Sequence, residues 1–396
     1  MLKLSLDMYQ TLAMAVGVLY LGGFLKHNIH LLEHFCIPAP VVGGVVFAFA
    51  SLLLYSTGVL ELEFDETLKT VCMVIFFTSV GFQANIRILK NGGVDLLLFL
   101  ICVIVLIVGQ NGVAVGIAKA LGLNPLVGLC TGSIPMVGGH GTSGAFGPIL
   151  EQLGVEGATT LCTAAATFGL IAGSLMGGPI GQRLIRRHNL LSTVEAEDET
   201  PLIEEEEKKH RSVSMYAPAA YQIAIAMGLG TLVSWLLSLT GMTFPIYIGA
   251  MIVAAIMRNV GEFTGHFYIH IGEINDIGGI CLSLFLGIAM ITLKLWELAS
   301  LAAPLLILLL GQVLFMGLFS YFVVYNLMGR NYDAAVLSAG ICGFGMGATP
   351  NAMANMQVLT EKYAPSVKAY LLVPIIGSMF ADFLNSLTVT LFINLV

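Results

Sequence analysis

The chain has 396 residues, of which 57% are apolar and only 10% charged, and its mean hydropathy is +0.91. Soluble domains carry about 25% charged residues, so this composition excludes a globular domain in water and makes lipid the solvent. Much of the net charge of −7 falls between Glu195 and Glu207, so it says little about partners, and no nucleic-acid partner is expected.

Apolar runs long enough to cross roughly 30 Å of hydrocarbon recur along the whole chain. They predict an all-α polytopic membrane protein with ten transmembrane helices. The first span covers residues 8–25; the segment before and within it lacks a small-residue cleavage site and reads as a span rather than a removed signal peptide. Spans at 39–57, 69–86, 94–117 and 157–181 complete an N-terminal repeat, 1–181. A linker at 182–216 contains EAEDETPLIEEEEKKHR, including the acidic run 204–207, and is too charged to bury, so it reads as a solvated loop. Spans at 218–240, 244–260, 276–293, 298–328 and 367–396 form a C-terminal repeat, 217–396. The seven cysteines (Cys36, Cys72, Cys102, Cys130, Cys162, Cys281 and Cys342) lack CxxC or metal-ligand spacing and read as small buried hydrophobes.

Lysine and arginine orient the spans. With the N-terminus outside, Lys26, Arg87, Lys90, Arg183, Arg186, Arg187, Lys208, Lys209, Arg211, Arg258, Arg330, Lys362 and Lys368 face the cytoplasm. Lys3, Lys69, Lys119 and Lys294 stay outside, and thirteen against four is a strong positive-inside bias. Both termini and the acidic Glu61–Glu66 loop are then external, and the central linker is cytoplasmic.

Two stretches are left over, 123–153 and 331–364, each between the fourth and fifth span of its half. The halves echo each other: LIVGQ at 106–110 matches LLLGQ at 308–312, Gly138 and Thr142 match Gly345 and Thr349, and Gly169 matches Gly377. An odd number of spans per half inverts the second copy, which is a common plan for secondary transporters. The leftover stretches are therefore expected to enter as re-entrant loops from opposite faces and to meet near the midplane, where irregular backbone must line a cavity or be buried in protein.

The first stretch carries GSIPMVGGHGTSGAF (132–146) and the second GFGMGATPNAMANM (343–356). Glycines let a backbone approach a ligand closely, and a Gly-rich turn that opens a helix aims free N–H groups at an anion. Gly138, Gly139, Gly141, Thr142 and Ser143 in the first tip, and Thr349, Pro350 and Asn351 in the second, are the candidate substrate-binding residues, against tight packing or a helix-starting proline as their duller roles. His140 is the one candidate cation of the first tip, or a hydrogen-bonded structural histidine. Asp382 is the one carboxylate near the middle of a predicted span, with Asn385 one turn on; a site facing a cavity is the default reading for such a group. The pair offers oxygen ligands for sodium, or Asp382 anchors a substrate ammonium. Asn355 of the second tip, with Gln110 and Gln312, completes the candidate sodium ligands; the two glutamines, like the neighbouring Asn111, serve equally well as interhelical glue.

Together GGHGT (138–142), GATPNAMANMQ (347–357), IPAPVVGG (37–44) and ATFGLIAGSLMGGP (166–179) resemble the bacterial sodium/glutamate symporters, nearly end to end. Pro135, Met136 and Val137 depart from the smaller or more polar residues expected before GGHGT. The resemblance implies two re-entrant loops, a homodimer, elevator-like movement of the loop-bearing bundle, and sodium-driven uptake of L-glutamate across a bacterial inner membrane. Another small dicarboxylate or hydroxycarboxylate is the alternative cargo. A membrane-embedded enzyme would need a motif such as HExxH, a paired carboxylate or a nucleophile–base set, and none stands out. A channel would not need inverted loops that converge.

Overall fold

Helices make up most of the computed structural model, which describes residues 2–29, 32, 38–87, 93–193, 213–240, 244–265, 267–295 and 302–396. Residues 194–212 of the charged linker, with Lys208, Lys209 and Arg211, lie outside the described residues, as do Ile37, Cys36 and Lys90 of the features singled out above. The first half contains α1 (Met8–Asn28), α2 (Ala39–Ser56), α3 (Thr67–Gln83), α4 (Gly93–Ala120), three short helices α5 (Pro125–Leu129), α6 (Ser133–Met136) and α7 (Gly139–Gln152), and α8 (Ala158–Arg187). The second contains α9 (Val213–Ser238), α10 (Ile248–Thr264), α11 (Ile271–Ile291), α12 (Ala302–Leu318), a hairpin of α13 (Tyr332–Gly345) and α14 (Thr349–Lys362), α15 (Val367–Ile376) and α16 (Asp382–Leu395). A π turn, Phe319–Val324, carries α12 on into Tyr325–Leu327, and another, Gly377–Ala381, joins α15 to α16. Among the described residues, eight helices are long and apolar enough to cross a membrane, while α3 and α10 have 17 residues each.

The boundaries shift where hydropathy and helix part company. The helix α8 runs six residues beyond the predicted 181, because Arg186 and Arg187 suit the negative end of its dipole. Helix α11 starts at Ile271 rather than 276, with Glu273 in its favourable first turn. The leftover stretches are mostly helical, with short breaks at 130–132, 137–138 and 346–348, since a helix satisfies its buried backbone internally.

Two bundles result. Helices α1, α2, α3, α9, α10 and α11 pack together, and α4 to α8 pack with α12 to α16. Within the second, α8 offers Gly169, Gly173, Gly177 and Gly181 at four-residue intervals to the α13–α14 hairpin. A Cβ at Gly173 would lie 2.8 Å from the Cys342 carbonyl oxygen, so the stripe sets the approach of these helices. Overpacking such a seam costs about 1–3 kcal/mol. The outer surface is apolar: Ile225, Leu229, Leu232 and Leu236 of α9 are all exposed, as lipid-facing side chains are. Six free cysteines are among the described residues, all buried except the half-buried Cys281.

One element escaped the sequence. Strand β1 (Leu2–Leu6) pairs in parallel with β2 (Leu60–Phe64), Leu2 opposite Leu60, so the N-terminus and the acidic loop share one face. Lys3 reaches Glu61 at 3.1 Å and Glu63 at 3.5 Å across the pair. Glu61, with Glu63, holds the Lys3 ammonium above the usual lysine range.

Candidate binding site

The two glycine-rich tips face each other. At the first, α6 gives way at Val137–Gly138 and α7 opens at Gly139, whose φ of +57° is a left-handed conformation suited to glycine. At the second, α13 ends at Gly345 and α14 opens with Thr349 and Pro350. A Cβ on Gly139 would lie 3.4 Å from the carbonyl oxygen of Gly347, so the tips are in near contact. Each tip thus presents the first turn of a 14-residue helix, where N–H groups have no intrahelical acceptor.

A cavity of about 260 Å³ lies against both tips. Gly138, Gly139, His140 and Gly141 line it from the first tip, and Gly347, Ala348, Thr349 and Pro350 from the second. Asp382, the first residue after the Gly377–Ala381 π turn, closes the same wall. Its carboxylate has no ion pair or hydrogen bond among the described residues. The opposite wall is apolar and comes from the other bundle, with Phe76 of α3 and Leu282 and Leu286 of α11. The cavity therefore sits on the seam between the two bundles.

Behind the wall, the remaining candidates hold the tips in place. His140 Nε2 pairs with Thr167 Oγ1 at 3.0 Å. Ser143 Oγ donates to the Gly139 carbonyl at 2.7 Å and to that of Cys162 at 3.2 Å, while Thr142 packs under Gly138. Asn351 Nδ2 donates to the Leu170 carbonyl at 3.0 Å, and Asn355 Nδ2 to that of Gly173 at 2.9 Å, so both asparagines fasten α14 to α8. Asn385 Nδ2 donates to the Ser133 carbonyl at 3.1 Å, and Ser133 is in turn bonded twice to Asn111, at 2.7 and 2.9 Å. Gln110 Nε2 donates to the Gly345 carbonyl at 2.6 Å and Gln312 Nε2 to that of Gln110 at 2.9 Å. These two glutamines lie away from the cavity walls and tie α4 to α12 and to the second tip.

Several of these groups keep an unused acceptor. Asn351 Oδ1, Asn385 Oδ1, Gln110 Oε1 and Gln312 Oε1 are buried without a partner among the described residues. Each is an oxygen held out of water, the donor type that a hard cation takes. The apolar lining residues Phe76, Leu282 and Leu286 carried no sequence signal, being ordinary in an apolar span. Gly377 was visible only as the repeat partner of Gly169.

A family model for the sodium/glutamate symporter matches residues 4–365 of this chain. The chain belongs to the sodium/glutamate symporter family. It is 40% identical over 393 residues to the sodium/glutamate symporter of Escherichia coli strain K12, an alignment covering 98% of both chains. The symporter of Haemophilus influenzae is 39% identical over 383 residues, 96% of this chain and 95% of that one. The family is one of transporters, not enzymes.

Proposed function

We infer that this chain carries glutamate across the membrane coupled to sodium, the activity its relatives are named for. The observation that carries this reading is one chamber with an unpaired carboxylate, Asp382, on the same wall as two helix N-termini. An acidic amino acid complements it: carboxylates at the N–H groups of Gly139–Gly141 and of Gly347 and Thr349, ammonium at Asp382. Sodium is assigned to the oxygen-rich ground beside the tips, with Asn385 and Asn351 as first candidates because their Oδ1 atoms are buried and unused. Purified protein in proteoliposomes is expected to concentrate labelled glutamate only with an inward sodium gradient, with aspartate competing better than malate or citrate. Stronger competition by malate would make the cargo a hydroxycarboxylate or dicarboxylate instead.

The transport cycle is read as an elevator, in which α4–α8 with α12–α16 slide along the other bundle as a homodimer. Supporting this, both tips and Asp382 belong to one bundle, while the facing wall is smooth and apolar. An inverted repeat with two re-entrant hairpins is supported by the order of elements: three long helices, a fourth, a helical hairpin and a last long helix occur in 8–187 and again in 213–395. The lysine and arginine distribution gives the orientation in a bacterial inner membrane. Single cysteines placed in Glu61–Glu66 should then be labelled from outside intact cells, and cysteines in 194–212 only after permeabilisation. External labelling of the linker would overturn the five-plus-five plan.

A further inference from the structure

Away from the substrate cavity, the end of α8 and the turn between α12 and α13 line an open surface pocket of about 680 Å³, walled chiefly by Arg187, His188, Tyr321, Tyr325, Asn326 and Arg330. Its construction is specific. Tyr325 is 4% exposed and stacks on His188 at 5.1 Å. The Arg330 N–H donates to the Tyr325 carbonyl at 3.1 Å, and the Tyr325 hydroxyl donates to the Arg330 carbonyl at 3.0 Å. These two bonds hold Arg330 at φ 55°, a left-handed conformation that an arginine adopts only under constraint. Arg187 arrives from the other half of the chain and donates to the Tyr321 hydroxyl at 3.4 Å. Among the described residues neither guanidinium has a carboxylate partner.

Two arginines gathered without a counter-charge call for a multivalent anion, and planar guanidinium groups match phosphate oxygens. The cavity also meets the lipid-facing surface. Leu310, Leu314, Leu318 and Phe322 follow one another at four-residue intervals toward it and are 60, 64, 50 and 57% exposed, and Phe322 reaches its rim. We propose that this cavity binds the phosphate group of an anionic phospholipid, with an acyl chain along the Leu310–Phe322 stripe. Basic pockets between membrane helices are headgroup sites of this kind. Inorganic phosphate shares the charge chemistry but has no use for the stripe. Bound there, the lipid would clip α8 to the α12–α13 turn within the tip-bearing bundle, whichever acid the protein carries.

Native mass spectrometry of the full-length, detergent-purified protein tests this with added dioleoylphosphatidylglycerol or dioleoylphosphatidylcholine. One phosphatidylglycerol per chain should be retained more tightly than phosphatidylcholine. The double variant Arg187→Gln, Arg330→Gly should bind phosphatidylglycerol roughly 30-fold more weakly, the effect of two arginines near an anionic headgroup. Its phosphatidylcholine adducts should not change. Glycine suits the left-handed φ of position 330, so the variant should keep the wild-type Tm in lipid-free detergent. Undiminished phosphatidylglycerol retention by the variant would overturn the proposal, as would equal retention of the two lipids. Displacement of the lipid by millimolar sodium phosphate would identify a free-phosphate site instead. Changing Glu204, Glu205, Glu206 and Glu207 to glutamine should leave retention unchanged; a large gain would make the acidic linker the native occupant and sink the lipid.

Discussion

Asp382→Asn is expected to lower glutamate uptake at low substrate concentration by at least about 30-fold, since removing one partner of a buried, hydrogen-bonded charge pair costs about 2 kcal/mol or more. Asparagine has nearly the same shape, so packing around α16 and the Gly377–Ala381 π turn should hold and the protein should reach the membrane in normal amount. The geometry favours the ammonium of the substrate as the group that Asp382 serves. Its carboxylate lines the cavity with both tips, whereas the unused Asn385 oxygen lies one turn further along the helix, beside Ser133 and Asn111. The loss should therefore fall on amino-acid substrates, and inhibition by dicarboxylates without an amino group should change less. A fall in apparent sodium affinity, with substrate affinity unchanged at saturating sodium, would move Asp382 to the ion site. Normal uptake with normal sodium dependence would leave it no role in binding.

Gly138→Ala should abolish measurable uptake, and Gly141→Ala should retain most of it. The contrast follows from the space at each Cβ. At Gly138 it would overlap Thr142 and come within 2.7 Å of Asn385 Nδ2, so the tip would have to move off Asn385. At Gly141 it would meet Phe76 at 3.4 Å and Leu282 at 3.5 Å, about ordinary contact with two side chains of the facing bundle. Gly139→Ala should fall between them, because its φ of +57° costs a residue with a Cβ about 1–2 kcal/mol while its nearest neighbour is 3.4 Å away. In a background without native cysteines, Gly141→Cys should react with a small aqueous thiol reagent, and glutamate with sodium should slow the reaction. Wild-type uptake by Gly138→Ala, or labelling of Gly141→Cys that glutamate does not affect, would remove the first tip from the binding site.

The residues at the site differ in how legible they were. Asp382 stood out because a lone carboxylate inside an apolar span is costly unless it faces a cavity or a partner, with a helix-packing hydrogen bond as its duller role, and the glycine tips because polar, Gly-rich sequence between spans must be buried or line a cavity. Gln110 and Gln312 gave the same signal; their amide nitrogens donate to the Gly345 and Gln110 carbonyls, while their Oε1 atoms have no partner among the described residues. A polar group in a span needs a partner, and sequence does not reveal whether that partner is a ligand or a neighbouring backbone.

The sequence by itself determined the solvent, the apolar helical segments, the two helix-opening tips and the isolated carboxylate, because each follows from local composition: apolar length, glycine spacing, one charge out of place. Only the tertiary structure decided which helices share a bundle, that Phe76, Leu282 and Leu286 form the far wall, that β1 pairs with β2, and that Arg187 and Arg330 line one pocket. The spans are apolar nearly all round, so no hydrophobic face tells a helix which neighbour to choose. Those choices rest on glycine stripes such as Gly169–Gly181 fitting particular carbonyls, and on single hydrogen bonds between residues roughly 200 positions apart, such as Gln312 to Gln110.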